Sequence, residues 1–263
     1  MIIKHKMIRI TDITIYPVKG LSGQALTHTK LETESLLAGD RQFGISAGTE
    51  VSAQATPDSW LKKAHFLQQM NYETLAALDL SYDSVTDRAV VRHKNEILFS
   101  DRLDTEDAGQ RFCDSIARFA GKEPGESRLF RLSDGGLSDT KTPFISLGNH
   151  ASLREADSRM GISSDSRRYR LNILFEGLEA FAEYDLIGKE AQIGDARIRF
   201  TEPVGRCAAI EVDPKTATRR KGLVADLTAA TGAPDMGVFA MVVTSGHIAV
   251  GDQMSLIDED VQP

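Results

Sequence analysis

The chain has only two cysteines, Cys113 and Cys207, in 263 residues. That excludes a disulfide framework. It also excludes an iron–sulfur cluster in this chain, since such clusters are held by sets of cysteine thiolates. No stretch approaches 18 consecutive apolar residues, so no membrane-spanning helix is predicted. The six histidines form no HxxxH or HxH pair, which leaves a histidine zinc site without support. GxGxxG, P-loop and GxSxG motifs are absent, and no repeat or low-complexity tract stands out. A net charge of −7 argues against a general nucleic-acid surface. Met1 to Thr11 is polar and basic, with too few apolar residues for a signal peptide, and Met7 is an alternative start. These absences together predict a cytoplasmic protein with no membrane and no nucleic-acid partner.

What is present is ordinary globular composition, 41% hydrophobic and 26% charged. The length allows one large domain or two modest ones. Ile8 to Val18 alternates as a strand and ends at Tyr16-Pro17-Val18-Lys19-Gly20. Leu26 to Leu37 reads as a strand pair, followed by the turn Ala38-Gly39-Asp40-Arg41. Thr56-Pro57-Asp58 opens a helix whose apolar face carries Trp60, Leu61, Ala64, Phe66 and Leu67. Leu78 to Ser84 and Ala89 to Phe99 read as strands. Thr105 to Ala120 is an amphipathic helix closed by Gly121, with Cys113 on its apolar face as core packing. Gly121 to Gly136 is linker-like, with a short alternating stretch from Ser127 to Leu132.

Phe144 to Leu147 is a buried strand, and Asn149 caps a helix ended by Gly161. Ala191 to Phe200 is a strand, Gly222 to Thr231 a helix, and Gly237 to Thr244 an apolar strand. Gly246 to Asp252 is a hairpin tip before a last strand, Gln253 to Ile257. Short strands and four isolated helices predict a β-rich α+β protein, barrel-like, with helices covering its openings.

The stretch from Pro203 to Pro214 holds the second cysteine. Pro203-Val204-Gly205 reads as a turn, then Arg206 and Cys207, then a strand-type run stopped by Asp213-Pro214. A guanidinium beside a thiol favours the thiolate, the form that binds metals. Alone, Cys207 reads first as a small buried hydrophobe, the commoner role of a lone cysteine. Lys19 and Arg41 read as surface charge or anion ligands at strand ends. Ser166-Arg167-Arg168-Tyr169-Arg170-Leu171-Asn172 is the strongest local positive cluster in this acidic chain.

In order along the chain, Tyr16-Pro17-Val18-Lys19-Gly20, Gly39-Asp40-Arg41, Thr142-Pro143-Phe144, Arg168 to Ile173, Gly205-Arg206-Cys207 and Gly246 to Asp252 resemble MOSC-domain proteins. In architecture the chain resembles the mitochondrial amidoxime-reducing component and its bacterial counterparts. The resemblance implies two barrel-like units: an N-terminal β-barrel domain over 1–121 and a MOSC domain over 122–263. It implies a molybdenum–pyranopterin (molybdopterin) cofactor with Cys207 as metal ligand and catalytic residue. It places cofactor contacts on Lys19, Gly20, Arg41, Thr142, Arg170, Asn172, Gly205 and Arg206. It does not lead us to expect pyridoxal phosphate.

The implied reaction is reduction of small N-oxygenated substrates. Electrons would come from a separate ferredoxin-like or cytochrome-type protein. The alternative is a molybdenum-cofactor or sulfur carrier using Cys207 as a persulfide. A scaffold that has lost activity is the third reading. The family has serine where this chain has Gly20 and Gly205, Thr-Ser-Pro at Lys141-Thr142-Pro143, and Arg-Pro-Asn at Arg170-Leu171-Asn172. These changes keep the charges and remove hydroxyl donors.

Overall fold

The computed structural model describes residues 7–48, 65–132, 135–140, 142–163 and 165–257. The strands in chain order are β1 (Ile8–Ile15), β2 (Gln24–Leu26), β3 (His28–Leu31), β4 (Phe43–Ile45), β5 (Leu78–Asp83), β6 (Arg88–His93), β7 (Glu96–Arg102) and β8 (Leu129–Arg131). After them come β9 (Ile145–Asn149), β10 (Ile173–Glu176), β11 (Glu190–Ile193), β12 (Ala196–Gly205), β13 (Asp235–Thr244), β14 (Gly246–Ala249) and β15 (Gln253–Ile257). The α-helices among the described residues are α1 (Glu106–Phe119), α2 (His150–Arg159) and α3 (Leu223–Thr231).

Seven strands close into a barrel in the order β10-β9-β13-β12-β11-β15-β1, with β1 returning to β10. All neighbours are antiparallel except β9 and β10. A parallel pair needs a crossover, and α2 supplies it. Asn149 caps α2 by accepting from Ala151 N at 3.2 Å. The barrel interior is apolar, from Ile10 and Ile13 on β1 to Ile198 and Phe200 on β12. On β1 the inward positions skip from Ile10 to Ile13. The strict alternation therefore breaks there, and a register shift between Ile10 and Asp12 absorbs the extra residue.

A second core lies between α1 and the sheet β5-β6-β7. Cys113 sits in it with no exposed surface, and burial pushes its thiol up to about 12. A third core packs α2 and α3 around Tyr169, Val204 and Ile210, directly behind the Cys207 segment.

Several local expectations are corrected. The run from Ala89 to Phe99 is two strands, folded back at Lys94-Asn95, where Lys94 takes a left-handed conformation. The run from Ala191 to Phe200 is likewise two strands, broken at Gly194-Asp195. Pro203 to Gly205 is no turn but the end of β12, with register shifts on both sides of Pro203. Proline is tolerated at such bulges because no ladder bond is asked of it. The run after Cys207 is a 3-10 helix, Ala208–Glu211, not a strand. Gly246 to Ala249 is a strand paired with β3 rather than part of a tip. The helix expected from Thr56 falls largely outside the described residues. Its last apolar positions, Phe66 and Leu67, run extended beside Ile45 and Ser46. The barrel takes β1 from the 1–121 segment, alongside strands from 122–263.

Candidate functional site

The turn after β1, the turn at Asp40-Arg41, the segment before β10 and the end of β12 meet around one cavity. Lys19, Gly20, Arg41, Arg170, Asn172, Gly205, Arg206 and Cys207 all line it. Thr142 does not. It is exposed, and its carbonyl accepts from Thr140 Oγ1 at 2.8 Å.

Each cation has a distinct setting. Lys19 is buried, donating to the Leu137 carbonyl at 2.6 Å and to Asp139 at 2.5 Å. Arg41 and Arg170 both have left-handed backbones, with φ of 51° and 52°. Each such non-glycine residue costs on the order of 1 kcal/mol, and such outliers cluster at functional sites. Their guanidinium groups share the ring of buried Tyr16, at 4.8 Å and 4.2 Å from its centroid. Burial pushes the Tyr16 hydroxyl up, against the pull of Arg170 and then Arg41. Buried Asp40 fixes this corner. It accepts from Tyr16 N at 2.7 Å, from the Arg41 guanidinium, and from Asn172 Nδ2 at 3.2 Å.

Asn172 has both ends of its amide engaged. Its Oδ1 accepts from Ser146 Oγ at 2.8 Å and Arg41 Nη1 at 3.2 Å, and its Nδ2 also donates to the Thr14 carbonyl at 3.1 Å. It therefore positions Arg41 and Ser146 rather than offering a free donor to a ligand.

Arg170 Nη1 donates to the Leu21 carbonyl at 2.7 Å. Arg206 donates to the carbonyls of Val204 and Tyr169. Among the described residues neither has a carboxylate partner within ion-pair distance. Burial lowers the affinity of Arg170 for its proton. Burial also pushes Arg206 down to about 10, Cys207 opposing and Arg41 adding to the shift. Two half-buried cations without carboxylate partners among the described residues would be favoured by a bound anion.

Cys207 is half-buried, precedes the 3-10 helix, and makes no side-chain capping bond. Its segment is pinned from two sides. Buried Arg168 donates to the Ile210 carbonyl at 3.0 Å and to Asp213 at 2.7 Å. Arg219 joins Ala208 and Glu211 to the carbonyls of Gln69 and Met70. Arg167, the third arginine of the cluster, is exposed and paired with Asp165.

The sequence reading gave no site role to Gln68, Gln69, Arg168, Phe144 or Phe239, which also line the cavity, although Arg168 and Phe144 stood in stretches it had singled out. The two phenylalanines stack with centroids 5.4 Å apart. No local pattern marks Gln68 and Gln69, because backbone contacts bring them there. Gly20 approaches so closely that a Cβ on it would stand 2.4 Å from Gln68 Cβ and 2.6 Å from Gln68 Cα. Gly205 is different: a Cβ there would meet only Asp235 Oδ1, at 3.6 Å. The hydroxyl lost at Gly20 is excluded by packing, while at Gly205 there is room for one.

The cavity thus brings a soft thiol together with several guanidinium groups, a set chemically suited to an anionic group and to a thiolate-binding centre. Among the described residues, no group of three or more His, Cys, Asp or Glu side chains could hold a metal ion. Any metal at Cys207 would thus bring other ligands with it. The family model of the MOSC domain matches residues 139–255, so the chain carries a MOSC domain over that stretch.

Two curated proteins are similar. One is the molybdenum cofactor sulfurase of Danio rerio, 26% identical over 80% of this chain and 29% of that protein. The other is molybdenum cofactor sulfurase 2 of Aedes aegypti, 27% identical over 81% and 27%. The chain spans less than a third of the length of these relatives. The crystal structure of the YuaD protein from Bacillus subtilis overlaps 95% of both chains at 11% identity, with a TM-score of 0.46. Among the described residues no helix is long and apolar enough to cross a membrane.

Proposed function

We propose that the cavity holds a molybdenum–pyranopterin cofactor and that the protein reduces small N-oxygenated compounds with electrons from a separate carrier protein. The observation that carries the reading is the pair Arg170 and Arg206, half-buried and without carboxylate partners among the described residues, in one cavity with Cys207. The residues fit the group in kind. Cys207 would ligate the metal, a soft thiolate for a soft dithiolene-bound centre. Arg170, Arg206 and Arg41 would hold the phosphate, for which a guanidinium fork is suited. Asp40 and Asn172 fix where Arg41 points. Phe144 and Phe239 give the cavity an apolar wall for a flat ring. When bound, the cofactor would supply the two-electron chemistry that removes oxygen from nitrogen. Units over 1–121 and 122–263, meeting at the cavity, are part of the same proposal.

A second reading is supported by the two curated relatives, whose names are those of molybdenum cofactor sulfurases. In it Cys207 carries a sulfane sulfur and no substrate is reduced. The two readings separate in one experiment. The full chain, purified from a host that makes the cofactor, is given benzamidoxime and a chemical reductant. We expect benzamidine and water at the expense of two electrons and two protons, and none with Cys207→Ala. Sulfane sulfur on Cys207, with cofactor bound and no benzamidine formed, would overturn the oxotransferase reading and leave transfer.

A further inference from the structure

A second cavity lies against the one at Cys207. It measures about 400 Å³, and Tyr16, Ala77, Leu174 and Lys215 are among its walls. That volume falls within the range of small-molecule pockets, roughly 300–1,000 Å³. Among the described residues, Gln69 and Arg170 line both cavities, so these two side chains stand between them. Arg170 is fixed by the Leu21 carbonyl at 2.7 Å and by the Tyr16 ring at 4.2 Å. The side chain of Gln69 is held weakly. Its Nε2 lies 3.5 Å from the Ala209 carbonyl and its Oε1 3.4 Å from Arg170 Nη1. Both distances exceed the usual range of about 2.7–3.2 Å.

The position of Gln69 therefore rests on its backbone. Its N–H donates to the Gly20 carbonyl at 3.1 Å, and its carbonyl accepts from Arg219 Nη2 at 3.2 Å. Arg219 Nη2 also donates to the Met70 carbonyl at 2.6 Å, and its Nε donates to Glu73 at 2.9 Å. Its Nη1 reaches the other way, to Glu211 at 3.1 Å and the Ala208 carbonyl at 3.4 Å. One planar fork thus spans the Gln69 segment and the residues that follow Cys207, which a single ammonium could not do.

We propose that Arg219 is a positioning residue that keeps Gln69 in place as the partition between the two cavities, and that Gln69 thereby limits the size of molecule admitted beside Cys207. With Gln69 displaced the cavities join, and a bulkier molecule fits. The inference rests on the cofactor reading only in taking Cys207 as the working residue.

The test needs no metal. The full chain is purified from a host that cannot make the pterin cofactor. Cys207 is alkylated with small iodoacetamide and, separately, with bicyclic monobromobimane. Cys113 has no exposed surface and a thiol pushed up to about 12, so it stays silent at neutral pH. Gln69→Ala should raise the ratio of the bimane rate to the iodoacetamide rate. Arg219→Ala should raise the same ratio by about tenfold, the scale for losing a hydrogen bond to a charged group. The double variant should match Gln69→Ala alone, since Arg219 acts through Gln69. Should Arg219→Ala not fold, Arg219→Lys carries the same expectation. An Arg219 that only braces the fold, or only steadies the Cys207 segment, would speed both reagents alike and leave the ratio unchanged. An unchanged ratio in Gln69→Ala overturns the partition. An unchanged ratio in the Arg219 variants, or effects of the two substitutions that multiply, overturns the role of Arg219. The cofactor reading is judged separately, by the metal content of protein from a cofactor-making host.

Discussion

Gly20→Ser will destabilise the protein by about 3 kcal/mol and lower its melting temperature by about 6–12 °C. The position has φ of 83°, a region that L side chains rarely adopt. A Cβ there would also stand 2.9 Å from the Leu67 carbonyl oxygen, besides its closer contacts with Gln68. Two of the three contacted atoms are backbone, so the neighbour cannot simply rotate away. Gln69 N donates to the Gly20 carbonyl at 3.1 Å, which ties the segment down further. The substitution that would make the motif look more like its relatives should therefore damage this chain. Thermal unfolding followed by circular dichroism measures it. A melting temperature within 2 °C of wild type, by the same scaling, would show that the Lys19–Gly20 turn is not held against Gln68.

Arg170→Ala should leave the fold intact and cost cofactor retention about 10- to 100-fold, the range for losing hydrogen bonds to a charged group. The removed guanidinium has no carboxylate partner among the described residues, so its loss strands no buried anion. Alanine at a φ of 52° is no more strained than arginine. Pterin content after gel filtration, measured by fluorescence of the oxidised pterin, reads the effect. Retention equal to wild type would remove Arg170 from the phosphate site.

Much of the architecture was legible in the sequence because its signals are local. The caps at Thr105 and Asn149, the closing glycines at 121 and 161, and the alternation in β1 each specify an element by neighbouring residues alone. Misreadings arose where the local signal is weak or contradictory. The turn residues Lys94 and Asn95 look unremarkable, so two strands read as one. Pro203 and Gly205 look like a turn, yet the ladder between β12 and β13 continues through them with bulges. Eight of the nine residues expected at the site line one cavity, and their cations had already drawn notice as charges at strand ends. Asn172 illustrates what sequence could not show. Its type suits a ligand donor, but its hydrogen bonds are spent on Arg41, Ser146, Asp40 and Thr14. Gln68, Gln69 and Arg219 were invisible for a related reason. Their places depend on backbone contacts between segments far apart in the chain.

The central claim is that Cys207 holds the metal of a pterin cofactor in the cation-lined cavity. Molybdenum per chain, measured by mass spectrometry on protein from a cofactor-making host, tests it most directly. The account predicts about one molybdenum per wild-type chain and less than about a tenth of that in Cys207→Ala, with equal melting temperatures when both proteins are prepared without cofactor. Wild-type protein without molybdenum, or a Cys207→Ala variant that keeps it in full, would contradict it.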